Sequence, residues 1–460
     1  MAKFKELFAP KDLTEGTPWK RITEFTIPLL IGNIAQQFYN TADSIIVGKY
    51  VGDNALAAVG SASPILNLLL VLFVGISTGA SIMVAQYFGA KDRKKLSHTI
   101  GVCISLTAIA SIIIMILGPI VARPLLTILK TPQSIIDWCA DYLVIFFVGI
   151  AGFAYYNIFA GVLRGLGDSL SALIFLLIST VLNVALDIWF VAGFNMGVAG
   201  VALATVIAQG VSAILCLVKL FRMKDNFDLN WSVLKLDKEF SLRLIKLGLP
   251  SGLTQAIFSL AMIVVQSLTN SFGEMVIACN VIVMRVDGFA MMPNFSFGNA
   301  MTTYTGQNIG AHKIDRVKQG AKDGTLIAMG VSTVITICIL IFGRYLIGIF
   351  TDTTELIDLS MRMLRILAVG YIAMAVTQSL AGVMRGAGDT LTPMWISLIT
   401  TVVIRVPVAY TLAYLTRSDL YPTGRPESTF ISLLVSWTLG SIITTIFYRK
   451  GKWTKKGLID

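Results

Sequence analysis

Twelve stretches of this sequence are long and apolar enough to cross the roughly 30 Å of a bilayer's hydrocarbon. They run over about 22–48, 55–82, 96–120, 137–160, 170–193, 198–220, 244–271, 276–304, 319–345, 358–383, 391–415 and 428–448. Backbone placed in hydrocarbon must satisfy its own hydrogen bonds, so stretches of this length fold as helices. The expected fold is therefore an all-α membrane protein with twelve transmembrane helices. Composition agrees: 55% of residues are hydrophobic and 14% charged, where a soluble chain carries about a quarter charged residues. Solvated multi-domain architectures and disorder are excluded.

The basic residues record topology. Of the 37 Lys and Arg, 27 fall in segments on the side of the amino terminus and 8 on the other, with Arg285 and Arg405 inside spans. By the positive-inside rule both termini are cytoplasmic. The formal charge of +11 thus points to an anionic lipid surface and not to nucleic acid. The polar opening, with Lys3, Lys5, Lys11, Lys20 and Arg21 before the first apolar run, does not read as a cleavable signal peptide. Cys103, Cys139, Cys216, Cys279 and Cys338 form no CxxC pair and are expected to be small core residues, so no metal site is expected.

An internal repeat organises the spans. Gly161-Val162-Leu163-Arg164-Gly165-Leu166-Gly167-Asp168 returns as Gly382-Val383-Met384-Arg385-Gly386-Ala387-Gly388-Asp389, an offset of 221. The same offset carries Gln86, Gly89 and Ala90 onto Gln307, Gly310 and Ala311, and an offset of 222 carries Pro28 onto Pro250. Two halves of six spans each follow, and because six is even the repeat is parallel. Transporters built this way bind substrate where two bundles rock against each other. The expected division is a cytoplasmic segment 1–21, an amino-terminal lobe 22–221 with spans one to six, a cytoplasmic linker 222–243, a carboxy-terminal lobe 244–448 with spans seven to twelve, and a cytoplasmic tail 449–460. Each Arg-Gly-x-Gly-Asp element falls in a cytoplasmic loop between the fourth and fifth spans of its half. It reads as a tight turn with helix capping or as a hinge; a phosphate loop is the other reading.

An ionisable side chain inside a span costs roughly 2.5–3.5 kcal/mol and so needs a compensating role. In the first half Gln36, Asn40 and Asp43 share one face of the first span, Asn183 and Asp187 share one face of the fifth, and Thr205 enters early in the sixth. Counting residues to the outer surface at 1.5 Å each puts Asp43, Asp187 and Thr205 roughly 7–10 Å deep, in one layer. Two carboxyl groups with an amide and a hydroxyl in a partly dry pocket suit a proton or a small hard cation. The plainer reading is helix capping or interhelical hydrogen bonding.

In the second half Asp287 and Arg405 lie at matched depth, roughly 15 Å below the outer face, and are expected to pair, as a structural tie or in coupling. Arg285, two residues from Asp287, points elsewhere on the helix. The repeat offset puts valines opposite Asp43 and Asp187, so the first half is the one specialised for an ion. Met284, Phe289, Met291, Met292, Phe295, Phe297 and Met301, interrupted by Pro293, make a soft surface suited to apolar or cationic ligands or to plain packing. The candidate substrate-cavity residues are Gln36, Asn40, Met284, Asp287, Met291, Phe295 and Met301. Pro28 and Pro250 are candidate bends in the paired first spans.

These features resemble the multidrug and toxic compound extrusion (MATE) family over essentially the whole chain. The likeness rests on the duplication, on Pro28 with Asn40-Thr41-Ala42-Asp43-Ser44-Ile45-Ile46-Val47-Gly48, on Leu182-Asn183-Val184-Ala185-Leu186-Asp187, on the two Arg-Gly-x-Gly-Asp loops and on Gly306-Gln307-Asn308-Ile309-Gly310-Ala311. The Asn183 and Asp187 pair looks most like the DinF-like branch. The resemblance implies a V-shaped pair of six-helix lobes in the plasma membrane, working as a monomer and exporting organic cations and other drugs in exchange for H+ or Na+ with no other cofactor. It implies that Asp43, Asn183, Asp187 and Thr205 form the cation site and that a bend at Pro28 accompanies protonation. The nearest alternative is a lipid-linked oligosaccharide flippase, which needs several cavity cations where only Arg285 and Arg405 are available. An enzyme is disfavoured, since His98 and His312 sit in loops and no nucleophile or metal set converges. A channel fits the duplication poorly.

Overall fold

The computed structural model describes residues 10–129, 131–230 and 232–458, with six side chains between positions 40 and 68 (Asn40, Ser44, Asp53, Leu56, Pro64 and Leu68) outside the description. Helices dominate, and among the described residues the one β-type pairing is an isolated bridge between Ser418 and Tyr421. Helix α1 is Pro18–Tyr50, α2 Asp53–Gly89 and α3 Arg93–Ile128. The fourth span is a pair, α4 Ile136–Val148 and α5 Ile150–Gly165, bent by 53°. Helix α6, Ser169–Asp187, runs into a π turn over Ile188–Gly193, and α7 is Gly197–Arg222. The second half follows with α8 Lys238–Asn270, α9 Glu274–Gly310 and α10 Ile314–Gly348. A second bent pair, α11 Thr354–Ala368 and α12 Gly370–Gly386, turns by 43°. Helix α13, Leu391–Leu398, passes through a π turn into α14, Arg405–Leu415, and α15 is Glu427–Arg449.

The protein is an all-α membrane protein. Nine helices are long and apolar enough to cross a bilayer, or eleven spans when each bent pair counts once, among the described residues. Helix α1 is not in that number, yet its 33 residues reach about 50 Å, ample for a crossing. Four of the five cysteines are buried as expected; Cys338 differs, standing exposed on α10.

The repeat holds at the level of backbone geometry. Positive φ occurs at Gly52 and Gly273, at Lys91 and His312, and at Gly167 and Gly388, each pair 221 residues apart. Close helix packing recurs too. A Cβ on Gly161 would meet the Ser77 carbonyl and one on Gly165 the Ser81 carbonyl, and Gly382 and Gly386 stand in the same way against Gly298 and Thr302. These small residues let α5 approach α2 and α12 approach α9.

In both Arg-Gly-x-Gly-Asp elements the Asp is a helix cap. Asp168 accepts from Ser171 N at 2.9 Å and Ser171 Oγ at 2.7 Å, and Asp389 accepts from Thr392 N at 3.3 Å and Thr392 Oγ1 at 2.8 Å. The Gly with positive φ supplies the tight turn before it. Asp168 also pairs with Lys219 at 3.4 Å. The turn-and-cap reading of the element is the one that this geometry carries.

Packing divides the chain into two compact units. One contains Ile27–Gly252, and the other Leu13–Thr26 with Leu253–Leu458. The division falls inside α1 and inside α8, at the repeated prolines Pro28 and Pro250, and not in the loop over 222–243. In the first unit an apolar core gathers Val47, Ala62, Phe73, Leu143, Phe147, Ile150 and Val201. The segment after α7 is clamped to this unit. Arg93 holds Asp228 through two bonds of 3.0 and 2.7 Å, and His98 lies 3.3 Å from Asp237. In the second unit the core contains Cys279, Val283, Met363, Leu364, Leu367 and Tyr371. There Leu13 N donates to Gln307 Oε1 at 2.8 Å, and Asn308 Nδ2 donates to the Leu13 carbonyl at 3.2 Å.

Candidate coupling-ion site

Three helices of the first unit converge on one polar cluster. Helix α1 presents Tyr39 and Asp43 one turn apart, α6 presents Asn183 and Asp187 one turn apart, and α7 brings Thr205. Asn183 and Asp187 are fully buried, Tyr39 and Thr205 are buried, and Asp43 is half-buried. Asp187 is the last residue of regular α-helix before the π turn. Such a turn re-aims the side chains at its start and is common at functional sites.

Asn183 ties the cluster together. With its amide nitrogen toward the carboxyl groups, the orientation that satisfies both sides, Nδ2 donates to Asp43 Oδ1 at 2.8 Å and to Asp187 Oδ2 at 3.2 Å. The other end of the amide then faces Thr205 Oγ1 at 3.5 Å. Asp43 and Asp187 are themselves within hydrogen-bonding reach of each other. Asp187 Oδ1 is buried without a hydrogen-bond partner, and no Lys, Arg or His faces either carboxyl among the described residues. Two carboxyl groups in contact in an apolar setting, with one oxygen unpartnered, have the chemistry of a site for one positive charge. A proton between them or a small hard cation among their oxygens fits this donor set. Among the described residues no group of three or more His, Cys, Asp or Glu could hold a metal ion.

The sequence reading did not include Tyr39, Tyr142 or Gln209. Tyr39 and Tyr142 are buried beside the two carboxyl groups, and Gln209 is buried with Oε1 unpartnered. The signal was present for two of them. Tyr39 is four residues before Asp43 and Gln209 four after Thr205, each on the same helical face as its neighbour.

Other candidates lie apart. On α1, Gln36 is half-buried and the Asn40 side chain is outside the described residues. In the second unit Met291 and Met301 are buried in the helix packing, Met284 is half-buried, and Phe295 is exposed. Asp287 and Arg405 face one another but form no direct ion pair among the described residues. The Tyr371 hydroxyl and the Arg405 guanidinium both act on Asp287, whose Oδ1 is buried without a hydrogen-bond partner. Arg405 is buried with Nε unpartnered and reaches Met262 Sδ at 4.0 Å.

The comparison with known families follows this duplication closely. The MatE family model matches twice, over residues 28–189 and 250–411. The chain belongs to the MatE family. Each matched interval of this MatE chain opens on one of the paired prolines, and the first closes two residues past Asp187. The probable multidrug resistance protein YoeA of Bacillus subtilis is 30% identical over 95% of this chain and 96% of its own length. The probable multidrug resistance protein NorM of Thermotoga maritima is 24% identical over 96% of this chain and 94% of its own. Among solved structures, the outward-facing conformation of a multidrug resistance MATE family transporter of the MOP superfamily superposes with a TM-score of 0.89. It shares 24% identity and covers 96% of this chain and 98% of that one. The MatE fold is therefore shown along nearly the whole chain.

Proposed function

We propose that this protein is a secondary active multidrug efflux antiporter of the plasma membrane, with both termini cytoplasmic, exporting organic cations and amphipathic drugs as H+ or Na+ enters. The observation that carries the reading is the contact of Asp43 and Asp187 under a shared Asn183 donor inside the spans of the first unit. The names of the relatives, probable multidrug resistance proteins, support the class of cargo. A buried carboxyl pair with no basic partner exchanges a proton or a sodium ion and so changes its net charge inside the protein. Such a change drives transport only when it favours one conformation over another. Pro28 and Pro250, next to where the chain passes from one unit to the other, each lack the backbone N–H that a helix interior uses, so bending there would suit a rocking exchange of access. The working species in this reading is a monomer.

The test uses the purified protein in proteoliposomes, with a cationic dye as cargo and a pH gradient or a sodium gradient imposed separately. One gradient drives dye movement, and Asp43→Asn abolishes it while the protein remains folded by size-exclusion profile. Undiminished dye movement in that variant would sink the assignment of Asp43.

A further inference from the structure

The two Arg-Gly-x-Gly-Asp elements differ in what their arginines touch. In the first unit Arg164 Nη2 donates to Ser77 Oγ at 3.1 Å, and that hydroxyl donates onward to the Asn157 carbonyl at 2.6 Å. Tyr156 is the large neighbour on the same helix. At the repeat offset Ser77 becomes Gly298 and Tyr156 becomes Thr377. The second repeat therefore loses the acceptor and much of the volume beside its arginine.

Arg385 shows the consequence. It is half-buried, no acidic side chain lies near enough to interact with it, and its guanidinium makes no hydrogen bond or ion pair among the described residues. A cavity of about 50 Å³ opens beside it within the second unit. Gln378, Ser397, Thr401 and Thr444 line that cavity with Arg385 and Thr377, and the side chains of those four make no other hydrogen bond among the described residues. A half-buried cation without an acidic partner favours an anion held by charge-assisted hydrogen bonds, and the cavity beside it is lined by neutral side chains with no carboxylate. The volume holds roughly three to five waters or one small polyatomic anion, well below the roughly 300 Å³ of a drug-sized pocket.

We infer that the second unit binds a small monovalent anion, a carboxylate or halide, on Arg385 and the donors around it, Gly298 in place of a serine leaving this arginine without the hydroxyl acceptor that Arg164 has. The source is either a free ion or the carboxylate of a carried molecule. The inference does not depend on the efflux reading, because binding is read without transport.

The experiment measures the melting temperature of the full chain in uncharged detergent at fixed ionic strength, replacing gluconate by chloride, formate or acetate. The wild type gains a saturable rise of a few degrees with the three small ions and none with benzoate, which is too large. Gly298→Ser restores the hydroxyl acceptor and loses the rise, whereas Gly298→Ala adds the same Cβ without a hydroxyl and keeps it. The Cβ itself fits tightly, 3.3 Å from Arg385 Nη2 and 3.0 Å from the Gln378 carbonyl. Arg385→Gln, if it folds, also loses the rise. No saturable rise in the wild type, or an equal rise in Gly298→Ser, overturns the inference. In proteoliposomes, formate that competes with a carboxylate-bearing dye assigns the site to the cargo's own carboxylate. Formate that stabilises the protein without competing assigns it to the free ion.

Discussion

Asp43 and Asp187 lie 144 residues apart in the chain and on different helices, yet both accept from one amide nitrogen, that of Asn183, at 2.8 and 3.2 Å. This makes Asn183 the residue that fixes the spacing of the two carboxyl groups. Each Asp alone is an ordinary interhelical hydrogen-bond acceptor; held together they form a pair that one positive charge completes. The proposed coupling therefore depends on the neutral residue between them as well as on the acids.

Asn183→Ala removes the shared donor and leaves both carboxyl groups in place. A hydrogen bond to a charged group contributes about 1.5–3 kcal/mol, so gradient-driven dye efflux in proteoliposomes is expected to fall roughly 10- to 100-fold with the folded yield retained. Efflux at the wild-type rate would show that Asn183 does not organise the pair.

Gly75 and Gly79 of α2 lie against Gly248 and Gly252 of α8 within the first unit. A Cβ on Gly79 would stand 2.6 Å from the Leu244 carbonyl oxygen and 2.9 Å from Gly248 N, and backbone does not yield as a side chain does. Gly79→Ala should destabilise the protein by about 1–3 kcal/mol, read as a lower melting temperature in detergent. Gly330→Ala on α10, where a Cβ meets nothing within 4 Å, serves as the control and should be neutral or stabilising by up to about 1 kcal/mol. Equal melting temperatures for the two variants would contradict close α2–α8 packing.

Much of this architecture is legible in the residues, because apolar length and an exact internal offset are properties of the chain itself. The offset that relates the two Arg-Gly-x-Gly-Asp elements also relates the positive-φ residues and the glycines that admit α5 and α12. The cluster of Asp43, Asn183, Asp187 and Thr205 was legible for a similar reason: helical spacing gives the face and residue counting gives the depth. What spacing cannot supply is the rotation of one helix against another. Asp287 and Arg405 share a depth, but Arg405 begins α14 just after a π turn, which shifts its azimuth, and no direct ion pair forms. The passage of α1 and α8 from one unit to the other was likewise invisible. It depends on which neighbours the chain packs against on either side of Pro28 and Pro250.

Asp168 gives a prediction in which the sign of a pH effect identifies its cause. It caps α6 from the turn before it, and burial holds its carboxyl above the ordinary carboxylate range, outweighing the opposite effects of the Ser171 bonds and Lys219. For an acid whose value is raised in the folded state, the stabilising contribution is fully present below the unfolded value, about 3.9, and is lost as pH rises through the raised one. Asp168→Asn keeps a good cap without the titration. The melting temperature of the wild type relative to this variant should therefore fall as pH is raised from about 4, and the difference should level off once the carboxyl is fully ionised. Asp168→Ala removes the cap and should lie about 1 kcal/mol below Asp168→Asn at any pH in that range. A wild type that instead gains stability over Asp168→Asn as pH rises would show that Lys219 and Ser171 outweigh burial at this turn.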